Sequence, residues 1–324
     1  MNKTVLTLVA AAMVSATSAL AADLRPVLKA PPPPPTPWDI AFGGALMSDY
    51  NFRGISQSQK GSSVTAYVET RYNVNPSLQL YAGSQYWAVD LPTNPSCECD
   101  FYAGFRPTIG PLAFDFGFIY YYYAREVGYS GDPAAFFPGF PNGNTTLNQT
   151  DYWEVYGKVG WEAIKDRLSF GANVYYSPDW LSTGADGTYA SITAKITGPS
   201  FKLGLGLVDE VGWYVSGEFG HYWIGTSDVN PFVFFGPTFT VDFPDYSTWN
   251  VGIAFTFLKV FTLDVRYYDT DLSKEECNVL TADPRAGFGG VGIAGNPAGL
   301  RSGLCGAAGI VSLKADLTYL TNLK

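Results

Sequence analysis

Trp38-Asp-Ile-Ala-Phe-Gly-Gly-Ala-Leu-Met-Ser-Asp-Tyr-Asn-Phe-Arg-Gly-Ile-Ser-Gln-Ser58 decides the fold. Its first half places Trp38, Ile40, Phe42, Gly44 and Leu46 on one parity, and Asp39, Ala41, Gly43 and Ala45 on the other. Strict alternation of this kind specifies a strand with one apolar face and one polar face. The same pattern recurs to the end of the chain, so the fold depends on what the apolar face meets.

Upstream, Lys3, the apolar run Val5 to Val14 and Ala19-Leu20-Ala21 read as a secretory leader over residues 1–21. Removing Lys3 with it leaves 19 bases against 29 acids. Such an acidic chain without a basic cluster has no electrostatic footprint for nucleic acid. Residues 22–37 contain five consecutive prolines from Pro31 to Pro35, an extended periplasmic spacer. No later run reaches the roughly 18 apolar residues of a membrane helix. Mean hydropathy of +0.02 with 16% aromatic residues instead suits alternation between lipid and lumen.

Residues 38–324 carry twelve strand candidates. Trp38–Phe52, Val64–Val74, Leu78–Asp90, Glu98–Arg106, Leu112–Tyr123, Asp151–Trp161 and Leu168–Ser177 come first. Tyr189–Leu207, Trp213–Trp223, Thr248–Phe257, Phe261–Tyr268 and Gly309–Tyr319 complete the set. Leu78–Asp90 is ambiguous in sidedness. Tyr189–Leu207 reads as one long kinked strand, with Val208–Gly212 as its turn, because splitting it would place the next long loop on the wrong side. Connections then alternate short and long, as in barrels with short periplasmic turns and long outer loops. Aromatics at both ends of the apolar stripes, such as Trp153 with Trp161 and Trp213 with Trp223, match interfacial girdles. The fold class is therefore all-β: a transmembrane antiparallel β-barrel of about 12 strands. Trp38–Leu46 is expected to face lipid and to pair with Gly309–Tyr319 at the closing seam.

Several strings resemble the TorF-type porin family of proteobacteria: Ser48-Asp-Tyr-Asn-Phe-Arg-Gly-Ile-Ser56, Phe101-Tyr-Ala-Gly-Phe105, Phe118-Ile-Tyr-Tyr-Tyr-Tyr123, Asp151-Tyr-Trp-Glu-Val-Tyr-Gly157, Tyr175-Tyr-Ser-Pro-Asp179 and Tyr267-Tyr-Asp-Thr-Asp271. The resemblance implies an outer-membrane barrel acting as a porin. The chain departs from it at Tyr319-Leu-Thr-Asn-Leu-Lys324, where family members end in an aromatic residue, and in its longer loops.

The inward charges expected to line the lumen are Asp49, Arg53, Glu69, Arg71, Asp100, Arg106, Asp115, Glu154, Lys158, Lys195, Glu218, Asp264, Arg266, Lys314 and Asp316. Such a set supports either a paired network between strands or a lining that tunes ion preference. Asp264 and Arg266 are expected to meet Lys314 and Asp316 across the last hairpin. Acidic loops, with Asp228, Asp242, Asp245, Asp269, Asp271, Glu275 and Glu276, suggest mild cation preference. The expected partners are outer-membrane lipid, lipopolysaccharide and small polar solutes or ions. The rival expectation is a structural or adhesive barrel with a closed lumen and binding loops.

Cys97 and Cys99 fall in the second outer loop, and Cys277 and Cys305 in the last. In an exported chain a Cys277–Cys305 disulfide is the favoured pairing, with Cys97–Cys99 as a short second bond. Metal binding by Cys-x-Cys is the sharper alternative, but no histidine accompanies it. His221, the single histidine, shares parity with Phe219 and Trp223 and reads as a girdle residue. It has neither a nucleophile nor an orienting partner in sequence, so no enzyme activity and no cofactor is expected. Gly287-Phe-Gly-Gly-Val-Gly292 lacks a strand-to-helix context and reads as loop. The acceptor-like Asn144 and Asn148 read as polar loop.

Overall fold

The computed structural model describes residues 37–126, 149–206, 208–228 and 240–323. Twelve strands run in chain order: β1 Trp38–Met47, β2 Ser63–Asn75, β3 Leu78–Trp87, β4 Cys97–Ile109, β5 Leu112–Ala124, β6 Tyr152–Ile164, β7 Leu168–Ser177, β8 Gly187–Thr197, β9 Val208–Ile224, β10 Tyr246–Phe257, β11 Phe261–Thr270 and β12 Ala308–Thr318. Each pairs antiparallel with its neighbour in sequence. β1 closes on β12 with Gly43 opposite Asp316 and Leu46 opposite Leu313. The expected seam is thus the observed one. Closure leaves no barrel edge open to another chain.

Four expectations on strand limits are corrected. β1 stops at Met47; Ser48 still donates its N–H to Val311 of β12, and from Asp49 the chain turns inward. Cys97 and Cys99 open β4 instead of lying in the loop before it. The expected single long strand is two strands: β8 ends at Thr197, and after residues 198–200 a short strand, Phe201–Leu205, follows. That strand pairs with the start of β9, so Val208–Gly212 belongs to β9 and is not a turn. Pro199 explains the break, since it cannot donate to the ladder. The ambiguous third strand resolves with Leu80 and Tyr86 outward, and Tyr81 buried inside.

Sidedness elsewhere follows the alternation. Leu46, Ile192 and Val251 stand 63%, 64% and 52% exposed on the outside, while Ala254 on the same strand as Val251 is 0% exposed within. Val68, Val155, Val174, Ile192, Val251 and Val265 form an aliphatic belt at mid-strand. Trp153, Trp223, Trp38 and Trp161 lie exposed towards the strand ends. An aliphatic belt bounded by aromatics is the surface that a bilayer requires of a closed barrel. The chain is therefore a transmembrane barrel of the bacterial outer-membrane type. No helix among the described residues is long and apolar enough to cross a membrane.

Inside, tyrosines lie across glycines on the next strand. Tyr102 faces Gly83, where an added Cβ would come 2.7 Å from the ring hydroxyl. Tyr67 faces Gly43 in the same way, at 2.8 Å. The missing side chain lets the ring lie flat on the wall, a recurrent device for sealing a barrel wall.

Both disulfides form, Cys97–Cys99 and Cys277–Cys305. Oxidation of all four cysteines removes the thiolates that a metal site would use. Among the described residues no group of three metal-ligating side chains assembles. The last outer connection, residues 271–307, contains helix α1, Lys274–Thr281, started by a reciprocal Ser273–Glu276 capping box. Asn144 and Asn148 lie outside the described residues.

Candidate functional site

The lumen has two layers of different chemistry. Towards the short turns it is a charged network. Arg106 of β4 grips Glu69 of β2 with two bonds, Nη1 to Oε1 at 2.8 Å and Nη2 to Oε2 at 3.0 Å. Its Nε also reaches Asp115 Oδ2 of β5 at 3.4 Å, and its guanidinium lies 3.7 Å over the Tyr81 ring. Arg71 donates to the same Glu69, and Tyr81 donates to Asp115. Lys158 stands opposite Asp115 in register and packs on Tyr156. Opposite charges placed across neighbouring strands support the ladder.

The expected cross-hairpin pairing in the last strands does not form. Asp264 lies opposite Ser312, and Arg266 lies opposite Ile310. Arg266 instead chelates Asp264 on its own strand at 3.0 and 3.1 Å, and donates to Asn250 at 2.6 Å. Lys314 faces Thr262, and Asp316 accepts from Tyr67 at 2.9 Å. Lys314 lies past the Ser312 that faces Asp264, and Asp316 lies further still, so Arg266 bonds Asp264 on its own strand and Asp316 accepts from Tyr67 across the seam.

The outer layer is where the sequence reading was furthest from the structure. Residues 48–62 do not project outward. Asn51–Phe52 and Ile55–Ser56 form a miniature hairpin inside the barrel, turned by Arg53 and Gly54 with φ of +48° and +88°. Two positive φ values make the tight mirror-image turn that suits a hairpin, and glycine takes the second position without steric cost. This turn drives Arg53 across the lumen. Its Nη1 and Nη2 bind Glu154 Oε1 and Oε2 of β6 at 2.7 and 2.8 Å. Tyr175, Tyr189 and Tyr222 surround the guanidinium at 4.5 to 4.8 Å from their ring centroids. Tyr246 of β10 donates to the Arg53 carbonyl at 3.0 Å. The Arg53 and Glu154 side chains are 6% and 0% exposed.

The start of the segment is tied to other strands and to itself. Tyr50 stacks on Trp87 of β3 at 4.1 Å and donates to Glu98 of β4 at 2.6 Å. Asp49 accepts from Ser56 at 2.6 Å and Ser58 at 2.9 Å, and burial pushes its carboxyl above the usual range against those bonds. Trp87 donates to Asp100 at 3.1 Å, and Tyr189 donates to Glu218 at 3.0 Å. Asp49, Glu98, Asp100 and Glu154 are buried at this level and Glu218 is half-buried, with the hairpin lying across the lumen among them. Asp49 and Arg53 thus sit on the inward segment after β1, not on a barrel strand. Lys195 packs its amine on Tyr214 at 4.6 Å.

His221 faces outward as expected, 4.5 Å from the Trp223 ring, and shares a hydrogen bond with Ser247 at 3.0 Å.

The profile of a family described as "Bacterial protein of unknown function (Gcw_chp)" matches residues 32–283. No protein of curated function matches the chain in sequence. Among solved structures, the COG4313 outer membrane channel from Pseudomonas putida F1 is 10% identical, with 88% of this chain and 96% of that chain covered at TM-score 0.36. LpxR from Salmonella typhimurium is 10% identical, covering 86% and 99% at TM-score 0.37. Trimeric OmpT of Vibrio cholerae is 12% identical, covering 87% and 98% at TM-score 0.33. At these identities and TM-scores the likenesses assign no function.

Proposed function

The chain belongs to the Gcw_chp family, and from that premise we propose that it is an outer-membrane channel for small polar solutes or ions, held shut by its own first loop. One observation carries the reading. A lumen lined with charge through its inner half ends on a hairpin fixed by a single buried ion pair, Arg53–Glu154. A barrel with no passage to offer could fill its interior with apolar side chains, as small barrels do. This one keeps charged groups through its inner half and confines closure to one detachable segment.

The resemblance of Ser48–Ser56 to the TorF-type porins falls on that segment. The inner half carries five acids (Asp39, Glu69, Asp115, Asp264, Asp316) and six bases (Arg71, Arg106, Lys158, Lys195, Arg266, Lys314), close to balance. The outer half is acidic through Asp49, Asp100, Glu154 and Glu218, and this keeps the expected preference for cations mild.

The second reading, a permanently closed barrel with binding loops, is favoured by the completeness of the aromatic packing around Arg53. Planar-bilayer recording separates the two. Replacing Asn51–Ser56 by a glycine–serine linker should raise conductance well above that of the native chain, with reversal potentials favouring cations slightly. A barrel that stays silent without the hairpin would refute the channel and leave the closed reading.

A further inference from the structure

Between the inward hairpin and the outer loops lies a second feature that conduction does not use: a cavity of about 430 Å³. Phe52 and Ile55 of the hairpin line one side, Trp180 and Phe243 the flanks, and Val279 and Leu280 of α1 the other side. We propose that this cavity is a binding site for a neutral, predominantly apolar small molecule.

Three observations point to that ligand class. The volume lies in the range of sites that enclose a drug-sized molecule. Among the described residues no carboxylate, amine, guanidinium or imidazole lines it; the polar groups present are hydroxyls and amides such as Gln57, Thr93 and Asn278. An ion entering would shed its water without meeting a counter-charge, which is costly. Arg53, next to the lining residue Phe52, is already paired with Glu154.

The walls are also rigid and aromatic. Trp180 meets Phe243 edge-on at 5.1 Å and Tyr222 at 6.2 Å, so the rings are braced and present flat surfaces for stacking. The cavity is built from distant parts of the chain that are tied together. The Cys277–Cys305 disulfide anchors α1, and Cys305 bridges in backbone register to Ile55 of the hairpin. An apolar ligand would therefore touch the stopper and its anchor at once.

The test uses the full chain in lipid nanodiscs and the neutral probe N-phenyl-1-naphthylamine, read by energy transfer from tryptophan. Subtracting the signal of Trp180→Phe, which keeps an apolar ring in place, isolates transfer from the cavity. The expected result is a saturable Trp180-dependent component, weakened roughly tenfold or more by Leu91→Asp and by Leu280→Asp, which each place an unpaired carboxylate in the lining. The anionic probe 8-anilinonaphthalene-1-sulfonate should bind far more weakly than the neutral one. Heat-modifiable gel migration verifies that both variants are folded, and each is read separately. No saturable component in the native chain, equal binding in both folded variants, or equal binding of the sulfonate would overturn the proposal. The measurement needs no ion flow, so its outcome is independent of whether the barrel conducts.

Discussion

Glu154→Gln is the substitution that most directly probes closure. Arg53 and Glu154 make two parallel charge-assisted bonds with both side chains buried. Removing one charge of such a pair leaves the other uncompensated, at a cost of about 3 to 5 kcal/mol. Glutamine keeps the shape and one neutral acceptor, which returns about 1 kcal/mol. The tyrosine rings around Arg53 stay in place and do not neutralise it. A net loss of about 3 kcal/mol falls on hairpin docking, because the ladders of β6 with β5 and β7 do not depend on this side chain. At about 1.4 kcal/mol per tenfold change, the undocked population should rise by roughly a hundredfold.

Two assays read that change: hydrogen exchange at the Gly54 and Gln57 amides, which are bonded within the segment, and the frequency of opening events in planar bilayers. Pairing Glu154→Leu with Arg53→Met should restore closure to within about 1 kcal/mol, since an apolar replacement for a buried ion pair is often neutral. Unchanged exchange and unchanged openings in the folded Glu154→Gln barrel would refute the reasoning. So would a double variant that opens more than the single one.

Other outcomes follow from the same structure. Val251→Arg, at the centre of the aliphatic belt, should lower folding stability in phospholipid by about 2 to 4 kcal/mol, measured by denaturant titration. Equal tolerance of arginine at Val251 and at the inward Ser216 would contradict the assigned faces. Cys277→Ser opens a disulfide with a sequence separation of 28 residues, and loop entropy sets the loss in the outer loop at about 3.5 kcal/mol. Proteolysis near α1 should accelerate while the barrel melts unchanged. For Asp49 the folded-state carboxyl is shifted up by burial, so the protonated form is favoured on docking. Docking should be tightest below the ordinary aspartate range and weaken as pH rises through the raised value. Hairpin exchange, corrected for intrinsic rates, should therefore be slower at about pH 4 than at pH 7, and Asp49→Asn should flatten that difference.

The barrel was legible in the sequence because its determinants are local. Period-two alternation in Trp38–Leu46, Phe101–Phe105 and Trp249–Phe257 fixes which face meets lipid, whatever the neighbours are. Loop lengths fix the ends, and closure follows because an open edge is excluded in a bilayer. The same locality explains the errors. The break at residues 198–200 and the true start of β4 depend on pairing partners, not on pattern. Whether Asp264 meets Lys314 or Arg266 depends on a register of one rung.

Only tertiary structure decided where the segment after β1 goes. Arg53 and Glu154 are 101 residues apart, and no periodicity links them. The one local signal was Arg53-Gly54 between short β-prone dipeptides, where the alternation of Trp38–Leu46 lapses. That signal announces a tight turn, but not the direction in which the turn folds. Direction is set by a buried cation finding a carboxylate and aromatic rings from several strands at once, an arrangement that exists only after the barrel has closed.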